Sequence, residues 1–150
     1  MPVHCFNHFN LRAPQPLLDK LRDFYVDVLG MKAGWRPPFP FPGYWLYLED
    51  KAVLHLVEAP SDRPAPSMTP GTLDHVAFSC YGLADFEAML RAKGLEYRKV
   101  SVPGTAQQQL FVKDPAGNGV EFNFASSDAD PSTERTSEGP RPFAGSQVER

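Results

Sequence analysis

Cysteine is scarce in this chain of 150 residues: Cys5 and Cys80 are the only two thiols, and no CxxC pair occurs. That excludes a disulfide scaffold and a cysteine-built zinc module. Each cysteine falls in a predicted strand, where a buried free thiol is the simpler reading. No apolar run approaches the roughly 20 residues that span a bilayer. The opening Met1-Pro2-Val3-His4-Cys5 lacks the basic and then apolar pattern of a secretion signal, so a cytoplasmic protein is expected. Charge of one sign is lacking too: 15 basic against 18 acidic residues give a net charge of −3. That balance supplies no attraction for nucleic acid or an anionic membrane, and a small-molecule partner is expected instead.

The prolines are present but clustered, at residues 36–42, 59–70 and in the tail, which marks loops rather than general disorder. A chain of this length buries a real core and makes one domain. The most informative stretch is residues 110–124, where two apolar runs flank Asp114-Pro115-Ala116-Gly117-Asn118-Gly119. So dense a turn signal predicts a β-hairpin. On its second strand Val120, Phe122 and Phe124 share one face, and Glu121 and Asn123 the other.

The rest of the chain divides in two. Residues 4–12 predict a strand, with His4, Phe6, His8, Asn10 and Arg12 on one face. Leu17, Leu18, Leu21, Phe24, Tyr25, Val28 and Leu29 recur at helical spacing over residues 16–29, with Gly30 as C-terminal cap. Residues 31–35 predict a short strand. Residues 36–43 form a proline-rich loop carrying Phe39 and Phe41, and strands at 44–48 and 52–58 follow. After a linker at 59–72 the same order returns: a strand at 73–80, a helix at 82–93, a strand at 96–102, and the hairpin. Residues 125–150 read as a polar tail. The chain is thus predicted to be an α+β fold of tandem βαβββ units, about 4–58 and 73–124, in one domain over residues 1–124. The two units should form a cupped mixed β-sheet with the helices outside.

Four metal-capable side chains sit at matching places in this repeat. His8 precedes His55 by 47 residues, and His75 precedes Glu121 by 46. His8 and His75 lie in the first strand of a unit; His55 and Glu121 lie in the last. Two units related by a pseudo-twofold axis could bring all four to one point. Three imidazoles and one carboxylate suit zinc, nickel, cobalt, manganese or iron(II), not calcium. His4 is the rival of His8, sharing its strand face. Asp74 should point away from His75, and Asp114 reads as a turn former. The thiols aside, Phe39, Phe41, Tyr44 and Trp45 could line a groove for an aromatic ligand.

The residues that carry a family resemblance are His8-Phe9-Asn10-Leu11-Arg12, residues 24–31, Ala52-Val53-Leu54-His55-Leu56, Asp74-His75-Val76-Ala77-Phe78 and residues 114–121. Over residues 4–124 the chain resembles the vicinal oxygen chelate superfamily of glyoxalases, extradiol dioxygenases and bleomycin resistance proteins. The resemblance implies a glyoxalase/dioxygenase-like fold, one divalent metal per site and a homodimer. It is specific for the fold and not for the reaction, since one scaffold hosts many reactions.

A glyoxalase- or epimerase-like enzyme is the first reading. The metal polarises a carbonyl and a carboxylate moves a proton beside it. Glu121 would be the base, and Arg12 matches an arginine that glyoxalase I uses for substrate. That enzyme, however, has a glutamate in place of His55, and its glutathione-holding asparagine has no counterpart in Val57-Glu58-Ala59-Pro60. The alternative is an extradiol-dioxygenase-like enzyme with iron(II) on His8, His75 and Glu121 and His55 as acid–base group. Such enzymes carry a tyrosine where this chain has Phe111, and a histidine in the segment that here is Val102-Pro103-Gly104. A third reading is a ligand-binding or resistance protein, with Phe39, Phe41 and Trp45 against an aromatic ligand.

Overall fold

The computed structural model describes residues 5–59 and 72–125. His4, most of the linker and nearly all of the tail lie outside the described residues. The first unit is β1 (Phe9–Ala13), α1 (Gln15–Leu29), β2 (Lys32–Ala33), β3 (Gly43–Leu48) and β4 (Lys51–Glu58). The second is β5 (His75–Cys80), α2 (Leu83–Ala92), β6 (Arg98–Ser101), β7 (Gln108–Lys113) and β8 (Gly119–Phe124). Their sheets have the same order, β1-β4-β3-β2 and β5-β8-β7-β6. In each, the first strand runs parallel to the last and the other pairings are antiparallel. The tandem βαβββ expectation therefore holds. The cupped sheet is two mixed four-stranded sheets; among the described residues no ladder of strand hydrogen bonds joins them.

Local chemistry explains the elements. Pro16 sits in the first turn of α1, where a missing N–H costs no intrahelical bond. Gly30 ends the helix at φ 68°, its N–H bonded to Val26 O at 3.1 Å, while Met31 N bonds Tyr25 O at 3.2 Å. Between these ends α1 buries Leu18, Leu21, Phe24, Tyr25 and Val28. Alternation sorts the strands into two faces. Leu46, Leu54 and Leu56 of the first sheet, and Leu110, Val112, Val120, Phe122 and Phe124 of the second, belong to the buried core. The opposite faces carry His55 and Trp45 in one sheet and Glu121 and Phe111 in the other.

The two units meet through core-facing side chains. Phe9 and Phe78 place their rings 6.3 Å apart. A small cavity of about 140 Å³ is lined from both units by residues including Leu29, Leu48, Phe78 and Phe122. The polar link is Tyr25, whose hydroxyl donates to Asp114 Oδ2 at 3.1 Å within the core. Burial and the adjacent Asp114 carboxylate push the Tyr25 phenol far upward, so it stays a donor. Asp114 also organises the hairpin turn. Its Oδ1 accepts from the backbone N–H of Ala116 and of Asn118, both at 2.9 Å, and its Oδ2 accepts from Asn118 Nδ2 at 2.9 Å. It is a turn former, as expected, and a clasp between units as well.

Some boundaries differ from the sequence reading. β1 begins at Phe9, so His8 lies just before the strand. β2 keeps only two residues: Gly34 N still bonds Trp45 O at 3.0 Å, and the loop after it turns away from β3. Cys5 is exposed and outside any strand, contrary to expectation, because pairing with β4 begins only at Phe9. Cys80 is in β5 and partly buried. No helix among the described residues is long and apolar enough to cross a membrane.

Tyr25→Phe should lower stability by about 2 kcal/mol, the scale of a hydrogen bond to a charged group. Asp114→Ala should cost more, because the turn loses its three other bonds as well; urea denaturation midpoints measure both. Burial raises the Cys80 thiol to about 11. With a thiol-reactive disulfide reagent at pH 8, Cys5 should therefore react fast and Cys80 slowly. Equal rates would contradict the packing of β5 against the core.

Candidate functional site

The two parallel ladders place the metal-capable residues. Asn10 pairs with His55, and Ala77 pairs with Glu121. His8 is two residues before Asn10, and His75 is two residues before Ala77. In each unit a histidine thus precedes by one strand repeat the residue beside the second ligand candidate. For His55 and Glu121 the equivalence inferred from spacing is one of ladder position; His8 stands one residue before its ladder begins, and His75 is the first residue of its own.

In the second unit the pair is in contact. His75 Nε2 lies 2.8 Å from Glu121 Oε2, and His75 Nδ1 lies 2.8 Å from Asp74 Oδ2. Asp74 therefore turns towards His75, contrary to expectation. It precedes the first residue of β5, so strand alternation does not yet dictate its direction. The bond to His75 holds the Asp74 carboxyl below its usual value, against the opposing effect of burial. Glu121 is only 4% exposed. Its Oε1 accepts from Gln109 Nε2 at 2.7 Å and from Asn123 Nδ2 at 3.1 Å. A carboxylate so buried needs these donors. Gly119 allows the close approach: a Cβ there would stand 2.3 Å from Asp74 O and 2.8 Å from His75 Cβ.

In the first unit the pair is stacked. The His8 and His55 rings lie 3.9 Å apart at 21°, and His55 lies 4.0 Å from the Trp45 ring at 2°. Desolvation, then the neighbouring His8, lowers the His55 pKa, which favours the neutral imidazole that a metal ligand must be. Asn7 Oδ1 lies 2.6 Å from His8 Nδ1. The stack continues outward: Trp45 is 6.4 Å from Phe39, which stacks on Phe41 at 5.2 Å and 10°. Arg36 covers both phenyl rings at 5.1 Å and donates to Phe41 O at 2.7 Å. Arg12 is exposed on the same sheet face as His55, pairing in the ladder with Val57.

The four candidates do not converge within one chain. Among the described residues no three His, Cys, Asp or Glu side chains come close enough to hold one ion. The physical reason is that the units join through their core-facing sides, and the ligand pairs stand on the other faces. The residues present nevertheless fit a divalent cation. Bonds of about 2.0–2.2 Å put neighbouring donor atoms roughly 3 Å apart, close to the His75–Glu121 spacing. The Asp74–His75 hydrogen bond is the outer contact that metal-bound histidines usually make. His8 and His55 would have to unstack, since both lone pairs must point in-plane at one centre.

Reading the sequence assigned no role to Arg36 or Gln109, and placed Asn123 on the face of Glu121 without one. Gln109 and Asn123 were legible in principle, because both have the strand parity of Glu121 across the hairpin. No such signal marks Arg36, whose contacts come from a loop.

Among solved structures, a glyoxalase/bleomycin resistance protein/dioxygenase domain from Frankia sp. EAN1pec is 19% identical, covering 82% of this chain and 98% of that one with a TM-score of 0.64. Lactoylglutathione lyase from Agrobacterium tumefaciens is 20% identical, with coverages of 84% and 97% and a TM-score of 0.60. TnmS3, an antibiotic-binding protein from Streptomyces sp. CB03234, is 20% identical, with coverages of 84% and 99% and a TM-score of 0.61. Likeness at this identity speaks for the fold alone. No curated protein sequence matches this chain. The family model described as Glyoxalase/Bleomycin resistance protein/Dioxygenase superfamily matches residues 6–122. With that match over most of its length, and paired βαβββ units, the chain belongs to the Glyoxalase/Bleomycin resistance protein/Dioxygenase superfamily.

Proposed function

We propose that this chain is a cytoplasmic, homodimeric, metal-dependent enzyme that moves a proton next to a carbonyl of a small oxygenated substrate. Residues 1–124 act as one domain. His8 and His55 of one copy face His75 and Glu121 of the other, so each dimer carries two sites. The observation that carries the reading is Glu121. One of its oxygens is held by Gln109 and Asn123 while the other is presented to His75.

A divalent ion on this set would supply the positive charge that polarises the substrate carbonyl. The chain's own residues do the rest. Asp74 orients His75 through Nδ1. Gln109 and Asn123 orient Glu121, the one carboxylate in the set and hence its base. Arg12 binds substrate from the sheet face of His55. Phe39, Phe41 and Trp45 wall the site and keep water from the apolar part of the substrate.

Ring cleavage fits less well. Phe111 lies edge-on to His75 at 5.6 Å and has no hydroxyl to offer a catechol. A ligand-binding role is the second reading, favoured by the run of stacked rings from Phe41 to His8. It predicts metal-independent binding of a flat aromatic molecule that quenches Trp45 fluorescence.

Mixing two dead variants tests the shared site. His8→Ala/His55→Ala and His75→Ala/Glu121→Gln each lack half of every site. If sites form between copies, an unfolded and refolded equal mixture should regain about a quarter of the wild-type metal sites, because half the dimers are mixed and each carries one intact site. No recovery would put the site within one chain or nowhere. The base is tested separately. Glu121→Gln should lose turnover beyond what its lost metal explains, and His55→Gln should track metal loss. The reverse pattern would favour the dioxygenase-like reading.

A further inference from the structure

A second feature adjoins the His75–Glu121 pair: an open cleft of about 590 Å³ on the same face of the second sheet. The strand registers define its shape. One row across the sheet reads Lys113, Gly119, His75, and the next reads Arg98, Phe111, Glu121, Ala77. Residues directly paired across strands share a face. In the first row the middle position is a glycine, and the Asp74 carbonyl and the His75 side chain close in over it. In the second row the Arg98 guanidinium lies over the Phe111 ring at 4.5 Å. Lys113 is two residues beyond Phe111 on β7, so the two cations bracket one aromatic ring.

After the His75 hydrogen bond, the charges of Lys113 and Arg98 help hold the Asp74 carboxyl down. Among the described residues Arg98 and Lys113 make no ion pair or hydrogen bond, whereas Lys99, on the other face of β6, is bonded to Glu87 Oε2 at 2.9 Å. The cleft also holds two carboxylates, Asp74 and Glu96. Asp74 is engaged by His75, and Glu96 lies outside the strands. A guanidinium held over a ring by its carbon leaves N–H groups for a planar, two-oxygen acceptor.

We propose that this cleft binds the acid end of the substrate: an organic carboxylate is held between Arg98 and Lys113, and its apolar body lies along Phe111 towards His75. The proposal rests on the enzyme reading above for its substrate role, but it needs no metal for binding. It also names a substrate class, a carbonyl compound that carries a carboxylate at its far end.

The probe is 2-naphthoate, titrated by its own fluorescence into the full-length protein with chelator present, beside the uncharged 2-naphthamide and 2-naphthyl phosphate. The acid should bind at least about tenfold more tightly than the amide, the scale of one charge-assisted contact. Arg98→Gln and Lys113→Met should each abolish that preference, and Lys51→Met, in the other unit, should keep it. Both sites are exposed, so folding is not at stake. Equal binding of acid and amide, or a preference that survives both variants, overturns the proposal. Tighter binding of the phosphate than of the carboxylate overturns the planar-acid assignment. The outcomes separate from those of the metal test. Recovery of metal sites in mixed dimers with no acid preference sinks only this cleft. Acid preference with no metal binding sinks only the metal-dependent enzyme.

Discussion

Everything at the site hangs on the parallel pairing of the first strand of each unit with its last. That ladder joins residues about 45 apart in sequence, Phe9 with Leu54 and His75 with Gly119, and fixes which side chains lie beside one another. Asn10 against His55 and Ala77 against Glu121 are the register points. A slip of one residue in either ladder would turn His55 or Glu121 into the core and bring Leu54 or Phe122 out. The burial of Leu54, Leu56, Val120 and Phe122 therefore enforces the chemistry on the opposite face. A packing constraint positions the ligand candidates His55 and Glu121, with no polar interaction needed to choose the face.

On that common frame the two copies have diverged in kind. Trp45 in the first unit and Phe111 in the second occupy the same place, directly across from the second ligand candidate. Trp45 stacks flat on His55 and extends into a wall of phenyl rings from the proline-rich loop. Phe111 stands edge-on to His75 and carries Arg98 on its face. The first half is aromatic, edged by Arg12 and Arg36, and burial lowers the pKa of its His55. The second half is ionic, with a buried carboxylate supported by two amides and one imidazole. The two faces thus differ in character, stacked rings on one and a supported carboxylate on the other.

The join between units is made by different residues. Tyr25 and Asp114 are far apart in sequence, and each already has a local duty, in the buried face of α1 and in the hairpin turn. Their hydrogen bond couples the turn that starts β8 to the helix of the other unit. Glu121 is two residues past the start of β8, so the clasp steadies the strand that carries it.

Much of this was legible in the sequence. Turn residues at 114–119, helical spacing at 17–29 and period-two alternation at 119–124 act locally, and local sterics and burial dictate them. The repeat of His-to-His and His-to-Glu spacings carried the ladder equivalence, because both copies close the same supersecondary unit. What the sequence did not show was direction and distance. Asp74 turned to His75 because it stands outside the alternating strand. Cys5 stayed exposed because pairing starts later than the apolar pattern did. The separation of the four ligand candidates into two pairs was decided by which faces the units bury against each other. That choice depends on contacts such as Phe9 with Phe78 and Tyr25 with Asp114, between residues that no local pattern relates.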